Sequence, residues 1–486
     1  MWMYGYPGAG KSTVAAHFAN QLRQLQRLCI VFPFDRNVLT EPVDLWCSVA
    51  YELARRYLVC REIIVSKLKN GLMNLANATA QDVFDELVVP PLRRLLESDL
   101  AIPRDCLPVF VIDALDECGG LSGTRALTTR KEVMSQIAQW SKLMPEFKLV
   151  VTSRPESDIA QSFTKLPMIS LDLQADEFNL KSIQDVTAYI RYRFDTMVVE
   201  SRPSNWPGED VIQDLSHRSG GIFIWAVTAL DFIEEFDPVN GLNIVQGGGA
   251  ELRGVNTLYQ QILETSFPSR AALTSFVTLM GAVVVAQRAL SSSDYASLLG
   301  LEINTVRSIC GKLRSVLDTD SVIQVKHASF VDYLVHGTAA EESPNAKSFR
   351  VDPDDGHRLL AESAFRVMNK ELHFNICNVN SSFVSNATLG TSHFKQAIRP
   401  VLAYACQFWG HHLENTTIPV DVSMIRTFMC RNLLYWFEAM SGLEQSYFAF
   451  RSLDALERWL TNNFHGPVSY HTSISSAWHH ILNLYN

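Results

Sequence analysis

Two hydrophobic rhythms divide the chain. Up to about residue 175, short apolar runs alternate with stretches of helical period. The runs are 28–34, 107–112, 147–152 and 168–173, and they show little polar alternation. A strand that is apolar on both faces is one covered on both faces, so these runs predict a parallel sheet inside an α/β layer. Between them, 14–27, 43–58, 81–96 and 128–143 space their apolar residues as helices do. Beyond 176 the strand signal fades. Stretches 181–194, 209–217 and 221–236 read as helices, and Gly247-Gly248-Gly249 reads as a linker. The stretch 258–286 reads as one helix and 291–299 and 302–316 as two shorter ones. A strand of a small wing is expected at 322–325 and a closing helix at 329–335. Helices followed by a small hairpin are the winged-helix pattern. A second linker, 341–355, contains Pro344 and Pro353. From 357 to 486 the pattern is again helical, with Trp409, Trp436, Trp459 and Trp478. No internal repeat of fixed period stands out. The expected domains are therefore 1–175, 176–245, 255–340 and 356–486.

Composition changes this picture little. The 486 residues suggest about three domains. With 47% hydrophobic and 19% charged residues the chain can bury a large core, which excludes disorder as its main state. A net charge of −9 argues against wholesale binding of nucleic acid. Nine cysteines without a C-x-x-C pair fit a reducing, cytoplasmic setting and argue against a disulfide scaffold or a zinc site. The longest mainly apolar uncharged stretches, 219–230 and 271–287, are shorter than the ~20 residues of a membrane helix, and residues 1–12 lack the features of a secretory signal. The sequons at Asn77, Asn380, Asn386 and Asn415 are then chance matches. His411-His412 and His479-His480 are adjacent pairs whose side chains diverge by roughly 100° on a helix, so neither forms a natural chelate. Leu433, Trp436 and Met440 share a helical face and read as core. In the winged helix, Arg307, Lys312 and Arg314 are diluted by Glu302 and Asp318, so no DNA reading is expected.

Chemistry concentrates in three places. Gly5-Tyr6-Pro7-Gly8-Ala9-Gly10-Lys11-Ser12, followed by Thr13, fits G-x-x-x-x-G-K-[ST]. Its glycines let the backbone wrap a phosphate with N–H groups. Lys11 brings charge to the β/γ-phosphates, and the Ser12 hydroxyl suits Mg²⁺. Only residues 1–4 remain for a strand ahead of it. The second place is Val109-Phe110-Val111-Ile112-Asp113-Ala114-Leu115-Asp116-Glu117, an apolar run that delivers carboxylates to a strand end. Asp113 suits the metal, and Asp116 or Glu117 an attacking water. The third is Leu149-Val150-Val151-Thr152-Ser153-Arg154, where Arg154 could reach a γ-phosphate.

In this order, GYPGAGKST, VFVIDALDEC and LVVTSRPE resemble the NACHT family of signal-transduction NTPases, in particular the nephrocystin-type modules common in fungal proteins. Weaker likenesses lie at 44–57, 219–233, 315–335 and 404–413. The resemblance implies an AAA-like P-loop parallel sheet with an extra strand between the phosphate-loop strand and the acidic strand. Helical, winged-helix and C-terminal all-helical domains follow. It implies a switch that binds ATP or ADP with Mg²⁺, GTP staying open, hydrolyses slowly, and is closed by diphosphate. A winged-helix histidine, matched here by His327, touches the diphosphate. Protein partners and self-association belong to the triphosphate state. Neither nucleic acid nor membrane is an expected partner. In the family, further residues precede the loop and complete its strand, and WD40 or ankyrin-type repeats usually form the C-terminal sensor. Their absence here makes a truncated start an expectation. A non-catalytic scaffold with structural or lost nucleotide binding is the alternative. A small-molecule kinase lacks support, since no arginine-rich acceptor lid is visible.

Overall fold

The computed structural model describes residues 1–35, 40–70, 78–97, 106–119, 124–173, 176–197, 206–247, 254–337, 349–379 and 390–463, with positions 73, 75, 103, 381 and 388. Two compact units emerge. One comprises Met1–Thr274, Val285–Ala289 and Ser308–Arg350, the other Ser275–Val284, Leu290–Arg307 and Val351–Asn486.

The first unit opens with β1 (Trp2–Tyr4), α1 (Lys11–Gln24), β2 (Leu28–Pro33), α2 (Pro42–Arg56), α3 (Leu58–Lys69) and α4 (Ala80–Val83). A π-turn, Phe84–Val88, leads into α5 (Val89–Glu97). Then come β3 (Val109–Asp113), α6 (Thr124–Leu143), β4 (Lys148–Ser153), α7 (Ser157–Phe163) and β5 (Ser170–Asp172). The five strands form one sheet in the order β2-β3-β4-β1-β5, every neighbouring pair parallel. Strand β4 separates β1 from β3, which is the inserted strand that the resemblance implies. Alternate residues of β3 explain its unbroken apolar run. Val109 and Val111 pack with Ala15, Ala19 and Leu22 of α1, while Phe110 and Ile112 join the other face with Trp46, Phe84 and Trp140. Though only three residues long, β1 is paired on both sides, Trp2 lying opposite Val151 and Ser170. The Trp2 indole N–H also donates to Ser153 Oγ at 2.8 Å.

The helix expected over 81–96 runs without a break from Ala80 to Glu97, with a π-turn in its middle. Pro90 and Pro91 have no N–H to give, and the preceding turn widens so that Val89 N–H bonds to Phe84 O. Helices α8 (Asp176–Thr196), α9 (Glu209–Ser219), α10 (Phe223–Glu235), α11 (Pro238–Gly247) and α12 (Val255–Ser266) follow. The helix expected over 258–286 is two helices, because Pro268 interrupts the ladder and Ser269 caps the second, α13 (Arg270–Val285). Next are α14 (Ser292–Leu299), α15 (Ile303–Lys312), the antiparallel pair β6 (Leu317–Asp318) and β7 (Gln324–Val325), and α16 (Ala328–His336). Gly247 ends α11 instead of opening a linker. Gly248, Gly249, most of the 341–355 linker, Asn77, Asn380, Asn386, Trp478 and His479-His480 lie outside the described residues. Among the described residues no helix is long and apolar enough to cross a membrane.

In the second unit, α17 (Pro353–Glu371) and Ser446–Asn463 flank the helix Pro400–Glu414. That central helix is buried on all sides, from Val401 through Gly410. Leu433, Trp436 and Met440 are core residues as expected, and Trp409, Trp436, Phe428 and Phe365 form an aromatic cluster. The flanking helix comes so close that a Cβ on Gly410 would stand 2.4 Å from Ser452 Cα. Gly410→Ala is therefore expected to cost ~2–3 kcal/mol despite alanine's better helix propensity. Gly311→Ala, a helical site where a Cβ meets nothing within 4 Å, should instead gain up to ~1 kcal/mol. Chemical denaturation of both variants checks the pair. A neutral Gly410→Ala would mean that the two helices are not held at this spacing.

Candidate functional site

The turn from β1 into α1 is built on two glycines with left-handed φ, Gly8 at 81° and Gly10 at 80°. At Gly10 the backbone conformation alone demands glycine. At Gly8 space demands it too, since a Cβ would lie 2.3 Å from Ile224 Cγ2 and 2.9 Å from Ile222 Cγ2. Lys11 opens α1, and no acidic side chain sits in that helix's first turn to offset its positive end. The Lys11 ammonium donates to Gly5 O at 2.8 Å and Tyr6 O at 3.0 Å. Burial pulls its pKa below the usual lysine value. Asp116 opposes that most strongly, Arg154 adds to it, and Asp113 and Glu117 oppose it more weakly.

A cavity of about 290 Å³ opens over this loop. Gly8, Gly10, Lys11, Ser12 and Thr13 form its floor. The turn after β3 contributes Asp116 and Glu117, and the end of β4 contributes Arg154. Phe223, Ile224 and Val227 of α10 make an apolar wall, and His327 and Ala328 close the side formed by α16. Gly5, Ala9 and Asp113 do not border the cavity. Gly5 serves through its carbonyl, and Ala9 N–H donates within the loop to Tyr6 O at 3.2 Å. The Asp113 carboxylate receives the Thr152 hydroxyl, whose oxygen accepts from Ala114 N–H at 2.9 Å.

Both carboxylate oxygens of Asp116 are engaged by Arg154. Its Oδ1 accepts from the Arg154 backbone N–H at 3.0 Å and its Oδ2 lies 3.1 Å from Arg154 Nε. Its backbone oxygen accepts from Arg130 at 3.0 Å, and Arg130 in turn reaches Asp158 at 2.8 Å. The other end of the Arg154 guanidinium pairs with Asp332 of α16. His327 is the N-cap of α16, its Nδ1 accepting from Ser329 N–H at 3.1 Å. His327 therefore both caps the helix and borders the cavity.

Sequence reasoning missed the apolar wall and the partners of Arg154. The wall left one signal, the Gly220-Gly221 step just before Ile222; Asp332 left none, being one acid on an apolar helix. For a divalent ion the oxygens of Ser12 and Asp113 are the right kind. Among the described residues no group of three His, Cys, Asp or Glu could hold a metal ion.

Residues 1–154 match a family model described as Nephrocystin 3, N-terminal. No curated protein matches the chain. Among solved structures, the chain is similar to a signal transduction ATPase with numerous domains and a tetratricopeptide repeat sensor from Pyrococcus horikoshii. The identity is 11%, over 95% of this chain and 65% of that one, with a TM-score of 0.39. It is also similar to the ORC1 protein of Aeropyrum pernix in complex with DNA, at 15% identity over 68% of this chain and 84% of that one, TM-score 0.27. The chain spans 65% of the length of the first of these. The span that resembles the nephrocystin N-terminal region thus carries the glycine loop and the β3 acidic turn, and ends on Arg154.

Proposed function

We propose that the chain is a nucleotide-controlled signalling switch of NACHT type, binding ATP with Mg²⁺, hydrolysing it slowly and resting closed on the diphosphate. One observation above all supports this. A single cavity gathers Lys11 and Ser12 of the glycine loop, Glu117 and Arg154 from two neighbouring strand ends, and His327 from a distant helix. The loop amides and Lys11 take up phosphate charge. Ser12 and Asp113 would hold Mg²⁺, which neutralises phosphate oxygens when bound. Glu117 polarises the attacking water, because Asp116 is spent on holding Arg154. Arg154 faces the charge that develops on the transferred phosphoryl group. His327 donates to the diphosphate in the closed form, and triphosphate favours a form that self-associates and meets protein partners. The apolar wall of Phe223, Ile224 and Val227 receives the base, and neither ATP nor GTP is singled out by it.

The test is calorimetric binding of Mg-ATP and Mg-ADP, followed by turnover of labelled ATP. Binding of both with slow turnover is expected. Tight ADP binding without turnover would favour the scaffold, and no binding of either would overturn the site. Glu117→Gln should keep Mg-ATP affinity within about threefold and lower turnover by ~10²–10³. Unchanged turnover would remove Glu117 from the reaction.

A further inference from the structure

A chain of hydroxyl groups runs behind His327. The Ser329 backbone N–H donates to His327 Nδ1 at 3.1 Å, so that nitrogen carries a lone pair and not a proton. Ser329 Oγ lies 2.7 Å from the same Nδ1 and can only donate to it. The Tyr259 hydroxyl stands 2.8 Å from Ser329 Oγ and, with the serine proton committed to Nδ1, is the donor of that bond. Tyr259 is also hydrogen-bonded to Thr228 of α10, the neighbour of Val227 in the cavity wall. Ser329 is 3% exposed and Tyr259 1%, so water does not compete for these bonds. Burial pushes the Tyr259 hydroxyl up to about 12, which keeps its proton in place.

From this geometry we infer that Tyr259 and Ser329 are positioning residues, which hold His327 as the neutral tautomer with its proton on Nε2 and so fix the nitrogen that donates to a phosphate oxygen. The inference rests on the reading that the cavity takes a nucleoside diphosphate. It adds how the histidine is set. Histidine can present either nitrogen and two protonation states, and a donor aimed in advance loses less on binding than one that must be selected from several. The relay also joins α10, α12 and α16. The helix that walls the cavity and the helix that closes it therefore share one set of hydrogen bonds. Lys11, Asp116, Glu117 and Arg154 border the same cavity and supply its charge, which leaves His327 the part of a directed neutral donor.

Two measurements on the full chain test this. In ¹⁵N-histidine spectra at pH 7.5, with the His327 signals found by their loss in His327→Asn, Nε2 should be the protonated nitrogen without nucleotide. A proton on Nδ1, or on both nitrogens, would overturn the assignment. The second is Mg-ADP affinity in a double-mutant cycle. Ser329→Ala and Tyr259→Phe should each weaken binding about fivefold in the native background and not at all in a His327→Ala background. Equal losses in both backgrounds would mean that the two residues only support the fold. Should the native chain bind no Mg-ADP, the functional reading of the cavity falls, and the histidine spectrum still decides the tautomer.

Discussion

Lys11→Ala is expected to lower the affinity for Mg-ATP and Mg-ADP by a factor of ~10² or more, while the second unit unfolds as in the native chain. A charge-assisted hydrogen bond to a buried anion is worth ~1.5–3 kcal/mol, and a P-loop lysine makes more than one. Lys11 is held where this counts. It starts α1, it is bonded to the carbonyls of Gly5 and Tyr6, and Asp116 is the strongest influence keeping it charged against burial. Removing it also leaves Asp116, Glu117 and any bound phosphate facing one another with less opposing charge, so the loss exceeds that of a single contact. Calorimetry gives the affinity. Denaturation followed through the tryptophans of the second unit reports whether anything but the loop has changed. Native affinity in this variant would detach the glycine loop from nucleotide binding altogether.

Acidification from pH 6.5 to pH 4 is expected to take at most about 3 kcal/mol of stability from the second unit through His357 alone. His357 Nδ1 lies 3.0 Å from His412 Nδ1, and His412 Nε2 lies 2.8 Å from the Tyr404 hydroxyl. Burial lowers His357 from 6.5 to about 4, with Asp354 pulling the other way. His412, 0% exposed, is lowered by burial and then by His357 and His411. A base whose folded pKa is depressed favours folding in its neutral form. Above pH 6.5 both folded and unfolded rings are neutral and the full stability is present. Below it the unfolded chain takes up protons that the folded ring refuses until about pH 4, and stability falls through that window. Carboxylates contribute to acid unfolding as well, so the measurement is a comparison. In urea titrations at several pH values, His357→Gln should flatten the slope between 6.5 and 4. A slope equal to that of the native chain would show that the ring is not held neutral.

The sheet was legible because each of its central strands is apolar on both faces. The run through Phe110 and Ile112 has to be a strand between two layers, and the carboxylates just past its end have to emerge at the sheet's edge. The glycine loop was legible for a similar reason, its residue types being dictated by backbone geometry. Elsewhere local pattern ran out. Helices α3 and α11 were overlooked, α3 because its apolar residues are weakly sided and α11 because its two glycines mask it. Pro268 was read through, although a residue without an N–H ends a helix more reliably than hydrophobic period extends one. In the site, Asp116 and Glu117 were both read as candidates for water chemistry because the apolar strand delivers them to its end. What decides the part of Asp116 is Arg154, 38 positions away, and what decides the state of Arg154 is Asp332, 178 positions further on. Such pairings are set by the fold, and no local spacing encodes them.

The position of β1 between β4 and β5 has a consequence for biosynthesis. Among the described residues its ladder partners begin near residue 148, so the strand that carries the glycine loop waits for them while the following ~150 residues are being made. At ribosomal speeds of roughly 5–20 residues per second that delay is on the order of 10 s. Strands β2 and β3 can meet sooner, yet the loop gains a fixed floor only when Val151 and Ser170 arrive on either side of Trp2. Until then the glycine loop is unsupported, and nothing that binds only the assembled loop can assist folding. The loop is translated long before it can be assembled, and its completion marks the moment at which the whole sheet has closed around it.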